Sequence, residues 1–173
     1  MRRITVFCLA LILFATPKSM FAQQDSKPAE PPAHYYQLSF SVQEVGENGK
    51  ITNSRAYTTS IETRSHDRQS IRTGDKVPVK ADDKGNLQYI DLGVNIDCWN
   101  AQEINGKLAI LISANVSSTA KTTNASDLPP VIRQNQWSAN ALVPIGKPTV
   151  IFSSDNLQDK DKIQVELTAT RID

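Results

Sequence analysis

The side chains that most often carry catalysis are few in this sequence. It contains two histidines, His34 and His66, and two cysteines, Cys8 and Cys98. Nucleophilic and zinc sites can often be identified in a sequence by a spacing or loop motif, such as a nucleophile elbow or paired histidines. No such motif is present. His66 and Asp67 are adjacent in an extended segment, so they should point to opposite faces. We therefore expect no enzyme, no catalytic residue and no cofactor.

The acidic residues raise the question of a calcium site, because hard cations bind several oxygen atoms together. Asp82-Asp83 lies in a turn sequence, and Asp91 and Asp97 alternate with apolar residues, as the wet face of a strand does. No complete ligand loop is present, so no metal site is predicted.

The two tryptophans are candidate binding residues. Trp99 follows an apolar alternation out of phase, so it should face the polar side of a sheet, whereas Trp137 begins an apolar face. An exposed indole can stack on a sugar, a peptide or a lipid headgroup, and covering the end of a sheet is the alternative role.

The elements that position these residues are β-strands. Between Asn86 and Val116 two arms show a period of two, which gives each arm one apolar and one wet face. The apolar positions are Ile90, Leu92, Val94, Ile96 and Cys98, then Leu108, Ile110, Ile112, Ala114 and Val116. Asn105-Gly106 between the arms accepts positive φ. A long antiparallel hairpin is predicted, with Cys98 buried on its apolar face; an intermolecular disulfide is the alternative.

The rest of the chain follows the same pattern. Ahead of the hairpin we expect a strand around residues 36–42 and a polar strand over 51–62 that lies at an edge or faces water on both sides. A Gly74-Asp75 turn should follow, before a strand bent by Pro78. After it we expect an exposed loop over 117–127 and three further strands. The predicted fold class is all-β, with about eight mainly antiparallel strands in meander order, forming a sandwich or an open barrel-like domain.

The N-terminal residues indicate export. Arg2 and Arg3, an apolar run and Met20-Phe21-Ala22 predict a signal peptide over residues 1–22. Residues 23–33 form a Pro-rich spacer with little to bury, and a single all-β domain is expected over 34–173. Cleavage would remove three of 19 basic residues, leaving 16 against 18 acidic ones. A chain of net charge near −2 has no basic stripe for phosphates, so nucleic acid is excluded as a partner.

Several short motifs occur in an order that is characteristic of one family. A Gly-containing segment runs into Val-Pro, and an aromatic and an acid precede Gly-Val and an alternating strand. A second strand ends in a Ser-rich sequence, Pro and Arg precede a polar strand, and a Gly-x-x-x-Val turn leads to the closing strands. These motifs occupy residues 69–79, 89–96, 108–118, 130–133, 138–143, 146–150 and 163–169. In this order they resemble the C-terminal β-domain of bacterial secretins, the outer-membrane gates of secretion and pilus systems. Arg133 stands at the Arg of this pattern and joins Trp99 and Trp137 as a candidate binding residue.

The resemblance implies an exported, non-enzymatic protein of the periplasm or outer-membrane periphery that acts through a protein partner or self-association. Secretins carry large ring domains before the similar segment, and here a strand pair and the spacer precede it. Residues 117–127 also lack the apolar alternation of a lipid-facing band, so membrane association is not predicted. The alternatives are a soluble β-sandwich module that binds a glycan or peptide, and a multimeric pore. No small-molecule substrate is identified.

Overall fold

The computed structural model describes residues 32–80, 85–119, 131–156 and 161–172. The signal peptide, most of the spacer and residues 120–127 of the expected loop lie outside these ranges. In the described part the chain forms β-strands and no helix. The strands are β1 (Tyr35–Val45), β2 (Ile51–Glu62), β3 (Gln69–Lys80), β4 (Leu87–Ile104), β5 (Lys107–Thr119), β6 (Ile132–Pro144), β7 (Thr149–Asp155) and β8 (Lys162–Arg171).

The strands form two four-stranded antiparallel sheets. Sheet A has the order β2-β1-β8-β7, and sheet B has the order β3-β4-β5-β6. The predicted all-β class is confirmed, and sheet B is a meander as expected. In sheet A the last strand inserts between β1 and β7, a long-range pairing that strand order along the chain does not reveal.

The core lies between the two sheets. Alternate residues of each central strand point inward, so the period of two becomes a buried face on each sheet. The most buried side chains are apolar and come from both sheets: Tyr36, Leu38, Phe40, Ile96, Cys98, Leu108, Ile110, Ile112, Val143, Val165 and Leu167. Burial of Cys98 in this core is confirmed.

The predicted central hairpin is confirmed as β4 and β5. The loop expected over 117–127 is wrong for residues 117–119, because β5 continues to Thr119 and pairs with β6 there. Asn105 and Gly106 form its turn, both with positive φ (51° and 72°). The ladder shifts register between Trp99 and Gln102, next to Asn100 with φ 53°. This irregularity lets Ala101 enter the core, while Trp99 stays on the opposite face.

The predicted turn at Gly74-Asp75 is wrong, because both residues lie within the continuous strand β3. Gly74 stands directly opposite Gly93 in the β3–β4 ladder. A Cβ on Gly74 would lie 2.1 Å from the Leu92 carbonyl oxygen, and one on Gly93 would lie 2.0 Å from the Thr73 carbonyl oxygen. Glycine here permits a close backbone approach rather than a change of chain direction.

This glycine pair marks the point where sheet B divides. The β4–β5 ladder begins at Val94, whereas β4 continues to pair with β3 over residues 87–93. The seven pairs from Gly74–Gly93 to Lys80–Leu87 form a two-stranded β3–β4 arm, roughly 23 Å long at about 3.3 Å per residue. At the division, the Ser117 hydroxyl accepts a hydrogen bond from the Gly93 N–H (3.0 Å).

Candidate interaction surfaces

Trp137 and Arg133 lie on the same face of β6, the one that points toward sheet A. Trp137 faces the core, as predicted, and stacks on Phe152 of β7 with ring centroids 4.1 Å apart. This stack joins the edge strands of the two sheets. The indole Nε1 is buried and has no hydrogen-bond partner among the described residues. The position favours the covering role over an exposed stacking platform.

Trp99 lies on the outer face of sheet B, the polar side that its phase predicts. The Arg68 guanidinium lies over its ring, 4.7 Å from the centroid. At this distance a cation–π attraction stabilises the pair, by about 0.5–1 kcal/mol at an exposed site. The structure therefore separates the three candidate residues: Trp99 is on the outside of sheet B, whereas Arg133 and Trp137 face inward.

Beside Trp99, Asp97 is the centre of a polar network that ties β3 to β4. Its Oδ1 accepts hydrogen bonds from the Ser70 hydroxyl (2.6 Å) and the Arg72 guanidinium (2.7 Å), and Arg68 lies 3.9 Å from Oδ2. Partial burial alone would raise the pKa of Asp97. The two hydrogen bonds and the positive charges of Arg72 and Arg68 outweigh it, so the pKa lies below its usual value of 3.8.

Cys98 points away from this network, into the core. It is 1% exposed, and burial together with the negative charge of Asp97 raises the pKa of its thiol to about 12. A thiol that stays protonated and buried is a poor nucleophile. The arrangement therefore gives no support to the intermolecular disulfide that the sequence left open.

A cleft of about 510 Å³ opens between the sheets at the end where the β3–β4 arm projects. Four strands place inward-pointing polar residues at the cleft, whereas further along each strand the inward-pointing residues are apolar. These polar residues are Glu44 on β1, Ser118 on β5, Arg133 and Asn135 on β6, and Ser154 on β7. Lys162, Asp155 and Asp161 add charge of both signs. The cleft is large enough for a small polar ligand or a peptide segment.

The edge strands differ in how well they are protected against pairing. β3 carries Pro78 and charged residues, and β7 has seven residues and a register shift, and both features disfavour pairing with another chain. β6 has 13 residues and one charge, Arg133, and its proline is the last residue of the strand. β2 has 12 residues and two charges. As predicted, β2 is an edge strand. Among the strands of the described residues, β6 is the longest edge without such protection.

The described residues include no group of three or more His, Cys, Asp or Glu side chains that could hold a metal ion. Within the same residues no helix has the length and apolar character needed to cross a membrane.

No family model and no curated protein matches the sequence. Solved structures do match. The secretin domain β-barrel of InvG from the Salmonella SPI-1 injectisome aligns with a TM-score of 0.50 at 10% identity, over 83% of this chain and 64% of that chain. The type II secretin GspD of enteropathogenic Escherichia coli aligns at 0.46 and 12% identity, over 82% and 66%. Aeromonas hydrophila ExeD aligns at 0.43 and 14% identity, over 81% and 47%.

The likeness to InvG shows the fold. The secretin resemblance deduced from short motifs is thereby confirmed as a resemblance of three-dimensional structure. The chain spans 64% of the length of that InvG chain.

Sequence reasoning missed two features that bear on interaction, the unprotected edge of β6 and the polar cleft. The long run without charge from Gln134 to Leu142 was a readable signal for an open edge. The cleft had no such signal, because its residues come from strands of both sheets.

Proposed function

We propose that this chain is an exported, non-enzymatic β-module of the bacterial envelope that works through protein–protein contacts with secretion or pilus machinery. The observation that carries the proposal is the open edge of β6 on a secretin-like fold. We place the protein in the periplasm or at the outer-membrane periphery, delivered by the signal peptide over residues 1–22 and separated from it by the spacer over 23–33.

The edge of β6 is suited to strand addition. Its outer backbone groups pair with no strand in the described part of the chain, and a partner strand can satisfy them by extending sheet B. On the opposite side of the sandwich, β2 offers a second unprotected edge in sheet A, where it contacts β3. On one side of the sandwich the unprotected β6 lies beside the protected β7, and on the other side the unprotected β2 lies beside the protected β3. Each side can therefore pair through one sheet only, which favours a directional contact with a partner or a second copy.

A pair of proline substitutions tests the edge. In an antiparallel strand the N–H groups of successive residues point to opposite sides. One of the two variants Ser138→Pro and Ala139→Pro therefore removes a hydrogen bond to β5, and the other removes an N–H group from the open edge. The variant that keeps the wild-type melting temperature is the edge-blocked protein. Ser138→Ala and Ala139→Ser keep the N–H and serve as matched controls.

The readout is the native mass of the purified protein, alone and mixed with a detergent extract of its host envelope, by light scattering after chromatography. We expect the wild type and the controls to enter a complex above the 19.1 kDa chain mass and the edge-blocked variant to stay outside it. Equal complex formation by the edge-blocked variant would show that β6 is not the contact.

Unchanged protein secretion and pilus assembly in a deletion strain would disprove the link to that machinery. A large ring that is released only by detergent would instead support the pore alternative.

A further inference from the structure

The sequence contains the dipeptide Asn-Gly twice, at Asn48-Gly49 and at Asn105-Gly106, each time followed by lysine and each time in the turn of a hairpin. An asparagine in this setting can react with its own backbone, because glycine has no side chain to hinder the approach of its nitrogen to the preceding carboxamide. All four residues are exposed, so access of water does not distinguish the two sites. Their hydrogen bonds do distinguish them.

The β1–β2 turn engages both reacting groups of Asn48-Gly49. The nucleophile is the Gly49 nitrogen, and its N–H donates a hydrogen bond to the Gly46 carbonyl oxygen (2.8 Å). The electrophile is the Asn48 carboxamide, whose oxygen accepts a hydrogen bond from the Lys50 N–H (2.9 Å). A reaction between the two groups must therefore break these hydrogen bonds first.

The β4–β5 turn leaves the same two groups unengaged. Within the described residues the Gly106 N–H donates no backbone hydrogen bond, and the Asn105 carboxamide has no hydrogen-bond partner. The turn is held by groups around the reacting pair. Ile104 pairs with Lys107, and the Gly106 carbonyl oxygen accepts a hydrogen bond from the Ile145 N–H (3.4 Å).

We propose that Asn105 is a site of spontaneous deamidation in the folded protein. In the first step the Gly106 nitrogen bonds to the side-chain carbonyl carbon of Asn105 and loses its proton, and the side-chain amino group leaves as ammonia. The product is a succinimide ring. Water then opens the ring at one of its two carbonyl carbons. Opening at the side-chain carbonyl gives aspartate, whereas opening at the backbone carbonyl gives isoaspartate.

The two products differ in their effect on the hairpin. Both add one negative charge, but only isoaspartate lengthens the backbone, because the chain then runs through the side-chain carbon. Short hairpin turns accept Asp-Gly as readily as Asn-Gly, and their geometry must match the twist of the strands. An added backbone atom between the paired residues Ile104 and Lys107 therefore disturbs the end of the β4–β5 ladder. This modification needs no partner, so it is independent of the contact proposed for β6.

Peptide mapping by mass spectrometry tests the proposal on the purified, folded protein incubated at mildly alkaline pH, and enzymatic methylation identifies isoaspartate. We expect Asn105 to convert at least about tenfold faster than Asn48, which corresponds to about 1.4 kcal/mol in activation free energy. In protein unfolded by guanidinium chloride the two sites should convert at similar rates, because the hydrogen bonds at Asn48 are lost. Asn48→Gln is the matched control and should leave the rate at Asn105 unchanged.

The proposal is overturned if Asn48 converts as fast as Asn105 in the folded protein, or if Asn105 stays intact for as long as the unfolded protein needs to convert. The effect on the hairpin is tested by separating the products by charge. The isoaspartate form should melt below the wild type, whereas Asn105→Asp, which has the charge without the added backbone atom, should melt as the wild type does. Equal melting temperatures of these two forms would overturn the predicted disturbance of the ladder.

Discussion

The glycine pair at the base of the β3–β4 arm allows a quantitative prediction, because three glycines separate two physical effects. Gly74→Ala introduces steric overlap only: its Cβ would meet the Leu92 carbonyl oxygen at 2.1 Å. Gly106→Ala introduces strain from positive φ only, with φ 72° and no atom within 4 Å of the new Cβ. Gly93→Ala combines both, with φ 153° and an oxygen at 2.0 Å.

The expected losses in free energy of unfolding differ accordingly. Gly106→Ala should lose about 1 kcal/mol, the usual penalty of a left-handed conformation for an L-residue. Gly74→Ala should lose about 2–3 kcal/mol, because backbone atoms rather than a flexible side chain must move. Gly93→Ala should lose about 3–4 kcal/mol, which corresponds to a melting temperature lower by roughly 10 °C.

The overlap can also be relieved if the arm separates at its base. In that case the loss measured for Gly93→Ala is limited to the free energy that holds the arm in register, and amide hydrogen exchange rises over residues 75–80 and 87–92 but not in β5. Chemical denaturation combined with hydrogen exchange distinguishes the two responses. The reasoning is refuted if Gly93→Ala and Gly74→Ala both lie within about 0.5 kcal/mol of Gly106→Ala and exchange in the arm is unchanged.

Three further predictions concern the core and the β3–β4 network. Because burial raises the pKa of Cys98 to about 12, Ellman's reagent at mildly alkaline pH should label this thiol only as fast as the protein unfolds; rapid labelling of the folded protein would contradict its burial. Asp97→Asn should lower the free energy of unfolding by about 1 kcal/mol at neutral pH. Because the pKa of Asp97 in the folded protein is depressed, this contribution is present above pH 3.8 and is lost as the pH falls through the folded pKa. The stabilities of the variant and the wild type should therefore converge in strong acid. A difference that stays constant with pH would show that the Asp97 charge is not its cause. Phe40→Ala in the core should lose about 3–5 kcal/mol, whereas Tyr89→Ala, at 60% exposure, should change stability by less than about 0.5 kcal/mol; denaturant titration measures both.

Features that depend on residues close together in the sequence were predicted correctly, and features that depend on contacts between distant residues were not. Alternation along β4 and β5 identified the hairpin, its Asn105-Gly106 turn and the buried position of Cys98, because a period of two needs only neighbouring residues. Gly74-Asp75 was misread as a turn, because the reason for the glycine is the facing Gly93, nearly 20 residues away in sequence. Only the paired strands show that two backbones approach too closely for a side chain.

Sheet membership and sites depend on still longer-range contacts. The alternation in β8 predicted a strand but not its place between β1 and β7, because a buried face is compatible with several neighbours in a sandwich. Of the candidate binding residues, the phases of Trp99 and Trp137 were predicted correctly from their positions in the apolar pattern. The stacking of Trp137 on Phe152 and the position of Arg133 beside the cleft were not predictable in this way, because both depend on how strands of the two sheets pack together.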